Sequence, residues 1–188
     1  MSHYVYPVDF FFWTKAKNHA RNKEKLMGMV ESTLKETASD HEGKWPCVVN
    51  TEFFAMLDGK AHDYWWLIQE ELYPAMDAMF DEMPELTVPK RSTVVETWYN
   101  RYEEGYSQDV HAHTARTLSG IYLVDLQEEN TTAFFSYGAT SNFFVNAQKR
   151  AAEAVEGDII LFPSHLLHYV LPSKKPRTTI AFNIQCEF

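Results

Sequence analysis

The sequence predicts a mainly β protein with flanking helices: a double-stranded β-helix, or jelly roll, with two N-terminal helices packed on its outside. Three observations carry this. Two long amphipathic stretches occupy the first half of the chain, and its character changes after Pro84 and Pro89. From there seven short strand-like runs follow one another to Cys186, separated by turn residues. The third observation is a His-x-His pair, His111 and His113, followed much later by His168 on an apolar run, and a jelly roll carries such ligands inside its mouth.

Taken in order, Val5 to Trp13 is aromatic and β-prone and is expected to form an opening strand over a sheet edge or face. Thr14 to Thr37 reads as an amphipathic helix, with Leu26, Met29, Val30 and Leu34 at helical spacing. Turn chemistry ends it over Ser39 to Pro46 and recurs at Asp58-Gly59-Lys60. Asp63 to Met83 reads as the second helix, with Trp65, Leu72, Met76, Met79 and Phe80 as its buried stripe. The strand-like runs are Thr93 to Tyr102, Leu118 to Leu126, Thr132 to Tyr137, Asn142 to Val145, Gly157 to Phe162, Leu166 to Leu171 and Arg177 to Cys186. On the last of these Thr178, Ile180, Phe182 and Ile184 share a core face. Arg177, Thr179, Asn183 and Gln185 share the other, which faces either water or the inside of a barrel. At 188 residues the chain suits a single domain, with residues 1–92 as helical support and 93–188 as most of the β-helix.

Composition narrows the function classes. The chain is 45% hydrophobic and 15% aromatic, with no apolar run near the roughly 20 residues a membrane span requires. The net charge of -9 disfavours nucleic acid as a partner, because phosphate binding needs clustered Lys and Arg. Lys15, Lys17, Arg21, Lys23 and Lys25 do cluster, but acidic residues interleave and follow them, as on a solvated helix face. Cys47 and Cys186 are far apart and are expected to be free buried thiols. The start lacks a basic segment followed by an apolar one, so a cytoplasmic protein, monomer or homodimer, is expected.

In an extended strand, side chains two apart share a face, so His111 and His113 converge on one ion, with His168 as the best third ligand. Two neighbouring ligands and one distant one leave open positions, as in a metal that does chemistry. Three neutral imidazoles suit Fe(II), Zn, Ni or Cu. His3, His19, His41, His62 and His165 are expected to be hydrogen-bonded structural residues. Glu128 to Arg150 is the expected cover over the site mouth.

Two resemblances bear on the chemistry. Gly105-x5-His111-x-His113 and Gly157-x5-Pro163-x4-His168 are similar to the two signature motifs of cupins, although Thr117 and Leu118 stand near the usual glutamate. The chain also resembles iron(II)- and 2-oxoglutarate-dependent oxygenases, with His168 and Arg177 matching that superfamily's distal His and carboxylate-binding Arg, and Thr179 its hydroxyl partner. Asn100-x-Tyr102 is similar to an Asn-x-Tyr pair of AlkB-type members. The run from Trp98 to Gly105, with Leu118 to Val124 and Phe162-Pro163-Ser164, resembles a group of small oxygenases from marine bacteria and cyanophages.

The second resemblance implies Fe(II) on His111, His113 and His168, with 2-oxoglutarate as co-substrate held by Asn100, Tyr102, Arg177 and Thr179. It also implies O2 as oxidant, and hydroxylation of a peptidyl side chain, as in prolyl hydroxylases, or of a small metabolite. His113 stands where most such oxygenases have a carboxylate. Either it ligates, or water or a carboxylate such as Asp109 or Glu103 completes the shell. The alternatives are a cupin-type three-His dioxygenase that needs no keto acid, and a non-catalytic jelly-roll binding module.

Overall fold

The computed structural model describes residues 10–37, 49–113, 116–127, 132–137, 147–151, 153–172 and 174–188. The chain begins with β1 (Phe12–Lys15) and α1 (His19–Thr37), then β2 (Asn50–Thr51) and α2 (Phe53–Leu57). A composite helix follows: α3 (Trp65–Leu67), a π-helical turn over Ile68–Leu72, and α4 (Tyr73–Glu82). The strands are β3 (Arg91–Tyr102), β4 (Gln108–His111), β5 (Leu118–Leu126), β6 (Thr132–Tyr137), β7 (Ala147–Ala151), β8 (Asp158–Pro163), β9 (His168–Val170) and β10 (Arg177–Glu187). They form an antiparallel six-stranded sheet in the order β1-β8-β5-β10-β3-β2 and a four-stranded sheet in the order β4-β9-β6-β7. This is the expected double-stranded β-helix.

Alternation along the large sheet separates two interiors. Tyr122 and Val124 of β5, Ile159 and Leu161 of β8, and Ile180, Phe182 and Ile184 of β10 form one cluster with Leu26 and Val30 of α1 and Met76 and Met79 of α4. Each such fully buried side chain contributes about 1.5–3 kcal/mol. The residues between them, Ile121, Leu123, Ile160 and Phe162, form a second cluster on the opposite face, inside the barrel. Gly120 belongs to the helix side and lies opposite Phe182, whose ring occupies the space a side chain would need.

The π turn corrects one expectation. Trp65 is 61% exposed rather than core, whereas Tyr64, Leu67, Leu72, Ala75, Met76 and Met79 are buried. An i→i+5 turn inserts one residue, so the position in phase with Leu72 is eight residues back, at Tyr64, rather than seven. The same insertion buries Glu71, which accepts from the Lys17 and Asn18 amides at 2.7 and 2.9 Å and from the Asn18 and Asn22 side chains at 2.9 and 2.8 Å. Since the first turn of α1 has no acidic residue of its own, Glu71 supplies the anionic partner from the neighbouring helix.

Other boundaries shift by a few residues. Thr14 and Lys15 belong to β1, which pairs with β8 at the sheet edge, and α1 starts at His19. The opening strand from Val5 to Asp9, the turn from Ser39 to Pro46, Cys47 and the strand from Asn142 to Val145 lie outside the described residues. Within Glu128 to Arg150 the described residues are paired strand, β6 against β7. Cys186 is a buried free thiol. Among the described residues no helix is long and apolar enough to cross a membrane.

Candidate metal centre

Strand pairing builds the site. In the small sheet His111 of β4 and His168 of β9 are direct cross-strand partners, so their side chains share a face, and their ring centres are 4.2 Å apart. The turn entering β4 uses Gly105 at φ 80°, the left-handed region that favours glycine. β4 ends at His111, and beyond it the His113 amide donates to the Ser164 carbonyl at 2.8 Å. The His113 ring therefore comes to 5.4 Å from His111 and 5.2 Å from His168. One nitrogen from each ring lies within 4.8 Å of the others, a cluster able to hold a metal ion.

Hydrogen bonding decides which nitrogens. His111 Nδ1 is 2.8 Å from the Asp109 carbonyl, and His168 Nδ1 is 2.9 Å from the Leu166 carbonyl. Carbonyl oxygen only accepts, so both Nδ1 atoms carry the proton and Nε2 is the lone-pair side of each ring. His113 Nδ1 meets Asn183 Oδ1 at 2.6 Å, with the same consequence. The Gln108 side-chain amide, 3.3 Å from His111 Nε2, is placed as a donor to that lone pair, because its oxygen accepts from the Tyr102 hydroxyl at 2.7 Å.

Burial keeps these rings neutral, the form that binds metal. Desolvation pushes His111 down to about 4 against the opposing hydrogen bond to Asp109, with the charge of His113 adding to the fall. Desolvation also lowers His113, and lowers the deeply buried His168 well below the ordinary value with the help of the other two rings. Phe162 packs edge-on against His168 at 4.8 Å, and Trp98 lies 5.9 Å from His113.

Beside the cluster β10 and β3 present two facing rows to the barrel interior, Arg177 opposite Tyr102, Thr179 opposite Asn100, Ala181 opposite Trp98 and Asn183 opposite Glu96. Arg177 is 1% exposed; its Nη2 donates to Thr132 Oγ1 at 3.1 Å and its guanidinium lies 5.2 Å from the Tyr102 ring centre. An inner cavity of about 20 Å³ touches Arg177, Thr132, Thr179, Asn100, Tyr102 and all three histidines, and among the described residues that line it none is acidic. A larger cavity of about 320 Å³ shares Trp98, Asn100, Gln108, His111 and His113 with it and extends past Val49, Thr51 and Phe53. The donor sets fit both groups the sequence suggested: three neutral imidazoles suit a divalent transition metal, and a guanidinium among hydroxyls and amides suits a carboxylate.

The structure thus brings together all seven residues picked from the sequence: His111, His113, His168, Asn100, Tyr102, Arg177 and Thr179. Arg177 and Thr179 face the barrel interior rather than water. His19 and His62 are hydrogen-bonded elsewhere, to Tyr122 and to Glu52 and Thr33. His3 and His41 lie outside the described residues. Sequence reasoning missed Gln108, Thr132 and the role of Asn183. The alternation of β10 placed Asn183 on the Arg177 face, but Gln108 and Thr132 are polar residues at strand starts with no pattern of their own.

The fold and site define a double-stranded β-helix carrying a three-imidazole cluster beside a cationic pocket. Residues 96–183 match the model of the family described as "Putative 2OG-Fe(II) oxygenase", a span that contains the three histidines and Asn100, Tyr102, Arg177 and Thr179 but not Val49, Thr51 or Phe53. Solved structures share the fold. A Pseudomonas putida prolyl-4-hydroxylase is 11% identical at a TM-score of 0.58, over 96% of this chain and 95% of that one. A Trichoplax adhaerens prolyl hydroxylase, solved with a hypoxia inducible factor peptide fragment, is 10% identical at a TM-score of 0.59, over 94% and 83%. SnoK, a non-heme alpha ketoglutarate dependent carbocyclase from nogalamycin biosynthesis, is 11% identical at a TM-score of 0.64, over 94% and 79%. No curated protein matches the sequence.

Proposed function

We propose that this chain is an Fe(II)- and 2-oxoglutarate-dependent oxygenase that hydroxylates a peptidyl side chain or a small metabolite. The observation that carries the reading is the buried Arg177 guanidinium in the same small cavity as His111, His113 and His168. In this reading the three Nε2 atoms hold Fe(II), with the Gln108 amide giving up its contact to the His111 lone pair when the ion binds. Arg177 pairs with the far carboxylate of 2-oxoglutarate, with hydrogen bonds from Thr179, Asn100 and Tyr102. The co-substrate would extend from the inner cavity into the larger one, since about 20 Å³ does not hold it. When bound, iron, O2 and 2-oxoglutarate supply the oxidation: one oxygen atom goes into succinate as carbon dioxide leaves, and the other enters a C–H bond of the substrate. The protein's own contribution is to orient and to exclude water. Trp98, Phe53 and Val49 line the larger cavity, where a substrate C–H bond would approach the cluster. The prolyl hydroxylases among the fold neighbours make a prolyl peptide the first substrate to try.

The test is a thermal-shift and turnover series. Fe(II) with 2-oxoglutarate raises the unfolding midpoint of the native chain. Arg177→Ala removes the 2-oxoglutarate increment and keeps the metal increment, while His111→Ala and His168→Ala remove the metal increment. Unchanged 2-oxoglutarate binding in Arg177→Ala sinks the co-substrate assignment. One observation favours a second reading, a three-His dioxygenase that uses no keto acid: the third ligand position holds His113 and not a carboxylate. Succinate release in step with oxygen uptake selects the first reading, and oxygen uptake without succinate selects the second.

A further inference from the structure

His111 and His168 each have their Nδ1 proton fixed by a backbone carbonyl two residues earlier. For His113 the Nδ1 partners are side chains of two adjacent strands, Asn183 Oδ1 of β10 at 2.6 Å and the Ser119 hydroxyl of β5 at 3.1 Å, with Glu96 of β3 behind Asn183. Glu96 of β3 lies opposite Asn183 of β10, and Asn183 lies opposite Ser119 of β5, so the three project into the barrel as one row. Their hydrogen bonds run in one direction. The Glu96 carboxylate only accepts, taking Asn183 Nδ2 at 2.6 Å and, on the same Oε2, Arg116 Nε at 3.2 Å, while Arg116 Nη2 reaches its other oxygen. With its NH2 committed to Glu96, the Asn183 amide turns Oδ1 toward His113 Nδ1 at 2.6 Å and toward the Ser119 hydroxyl at 2.7 Å. An amide oxygen accepts only, so Nδ1 carries the proton.

We propose that Glu96 and Asn183 are positioning residues of the metal centre: Glu96 sets the direction of the Asn183 amide, and Asn183 thereby imposes on His113 the tautomer that offers Nε2 to the ion. Imidazole has two neutral tautomers of similar energy, and only an outer partner of fixed polarity selects one. Asn183 and Ser119 are buried, at 4% and 0% exposure, where a protein partner of fixed polarity outlasts bulk solvent in setting the tautomer. Arg116, held in place by the two-point contact, keeps the Glu96 carboxylate oriented. The inference rests on the reading of the three histidines as metal ligands and not on 2-oxoglutarate.

The test titrates Co(II), followed by its visible absorption, into the native chain and into Asn183→Ala, Glu96→Gln and the double variant Glu96→Gln/Asn183→Asp. The His113 tautomer of each metal-free protein is read from 15N chemical shifts of labelled histidine. Asn183→Ala is expected to weaken Co(II) binding about 10- to 100-fold, the range for loss of an outer partner of a ligand. Glu96→Gln is isosteric, but glutamine both donates and accepts, so its NH2 leaves one Arg116 donor without an acceptor and no longer fixes the Asn183 amide; a mixed His113 tautomer and about 10-fold weaker binding are expected. The double variant restores the direction: the amide introduced at position 96 donates to the carboxylate introduced at position 183, and that carboxylate accepts from His113. It is expected to recover the single tautomer and most of the affinity. A packing role would not be rescued in this way. Native Co(II) affinity and an unchanged tautomer in both Asn183→Ala and Glu96→Gln would overturn the inference, as would a double variant no better than Glu96→Gln. If the native chain binds no Co(II), the metal reading falls and takes the inference with it. A separate 2-oxoglutarate titration of the native chain reads the co-substrate proposal independently, since the Asn183→Ala loss is expected whatever that titration shows.

Discussion

The Tyr102 hydroxyl donates to Gln108 Oε1 at 2.7 Å, and the amide nitrogen of Gln108 lies 3.3 Å from His111 Nε2. The same Tyr102 ring lies 5.2 Å from the Arg177 guanidinium. One buried tyrosine therefore joins the cationic pocket to the histidine cluster.

Tyr102→Phe keeps the ring against Arg177 and removes the hydroxyl. Loss of one hydrogen bond is worth about 0.5–1.5 kcal/mol, so on the proposed function 2-oxoglutarate affinity is expected to fall by about threefold to tenfold. Metal affinity should change by less, because His111 Nδ1 remains fixed by the Asp109 carbonyl. Calorimetric titration of each ligand in turn measures both effects.

Gly120→Ala tests the contact between the large sheet and its helices. A Cβ at this position would lie 2.1 Å from the Phe182 ring, which is fully buried and has no room to withdraw. Overpacking of this kind costs about 1–3 kcal/mol, read as a lower midpoint in urea. Adding Phe182→Leu should recover part of the loss, because the smaller side chain vacates the contested space.

Glu71→Ala is expected to destabilise the fold by about 2–3 kcal/mol, since it leaves two backbone amides and two side-chain amides at the start of α1 without their acceptor. Metal binding should survive, as α1 packs on the face of the sheet opposite the site. A chemical denaturation curve alongside a Co(II) titration separates the two effects.

The pH dependence of stability has an identifiable contribution at Glu156. Burial pushes its carboxyl up, but hydrogen bonds from Lys23, the Leu126 amide and His19, with the charge of Lys23, outweigh this and hold it below the ordinary value of 4.5. A folded value below the unfolded one means that the unfolded chain binds the proton more readily. The contribution is therefore whole above about pH 4.5 and is lost as pH falls through the lower folded value. Glu156→Gln should give a shallower fall of the melting temperature on acidification below pH 5, with lower stability at pH 7 than the native chain.

Much of the site was legible in the sequence because it is local or periodic. His111 and His113 are two apart on an extended chain, and the alternation of β10 put Arg177, Thr179 and Asn183 on one face. Trp65 was misjudged because a π turn changes the helical period by one residue, and no side chain between Ile68 and Leu72 announces that turn. Gln108 and Thr132 were missed for a different reason. Their importance comes from which strands stand beside them in another part of the chain.

The sequence by itself determined the fold class and the His111, His113 and His168 constellation, since hydrophobic period and residue spacing are properties of the chain alone; the residues offered to 2-oxoglutarate are what the family resemblance implies. Only the tertiary structure decided that the polar face of β10 looks into the barrel, and that His111 and His168 are cross-strand partners. It alone brought Glu96, Asn183 and Ser119 into one row behind His113. The reason is register. Which residues meet across a sheet depends on how distant strands align, and a shift of one residue on β10 would turn Asn183 and Arg177 to the other face.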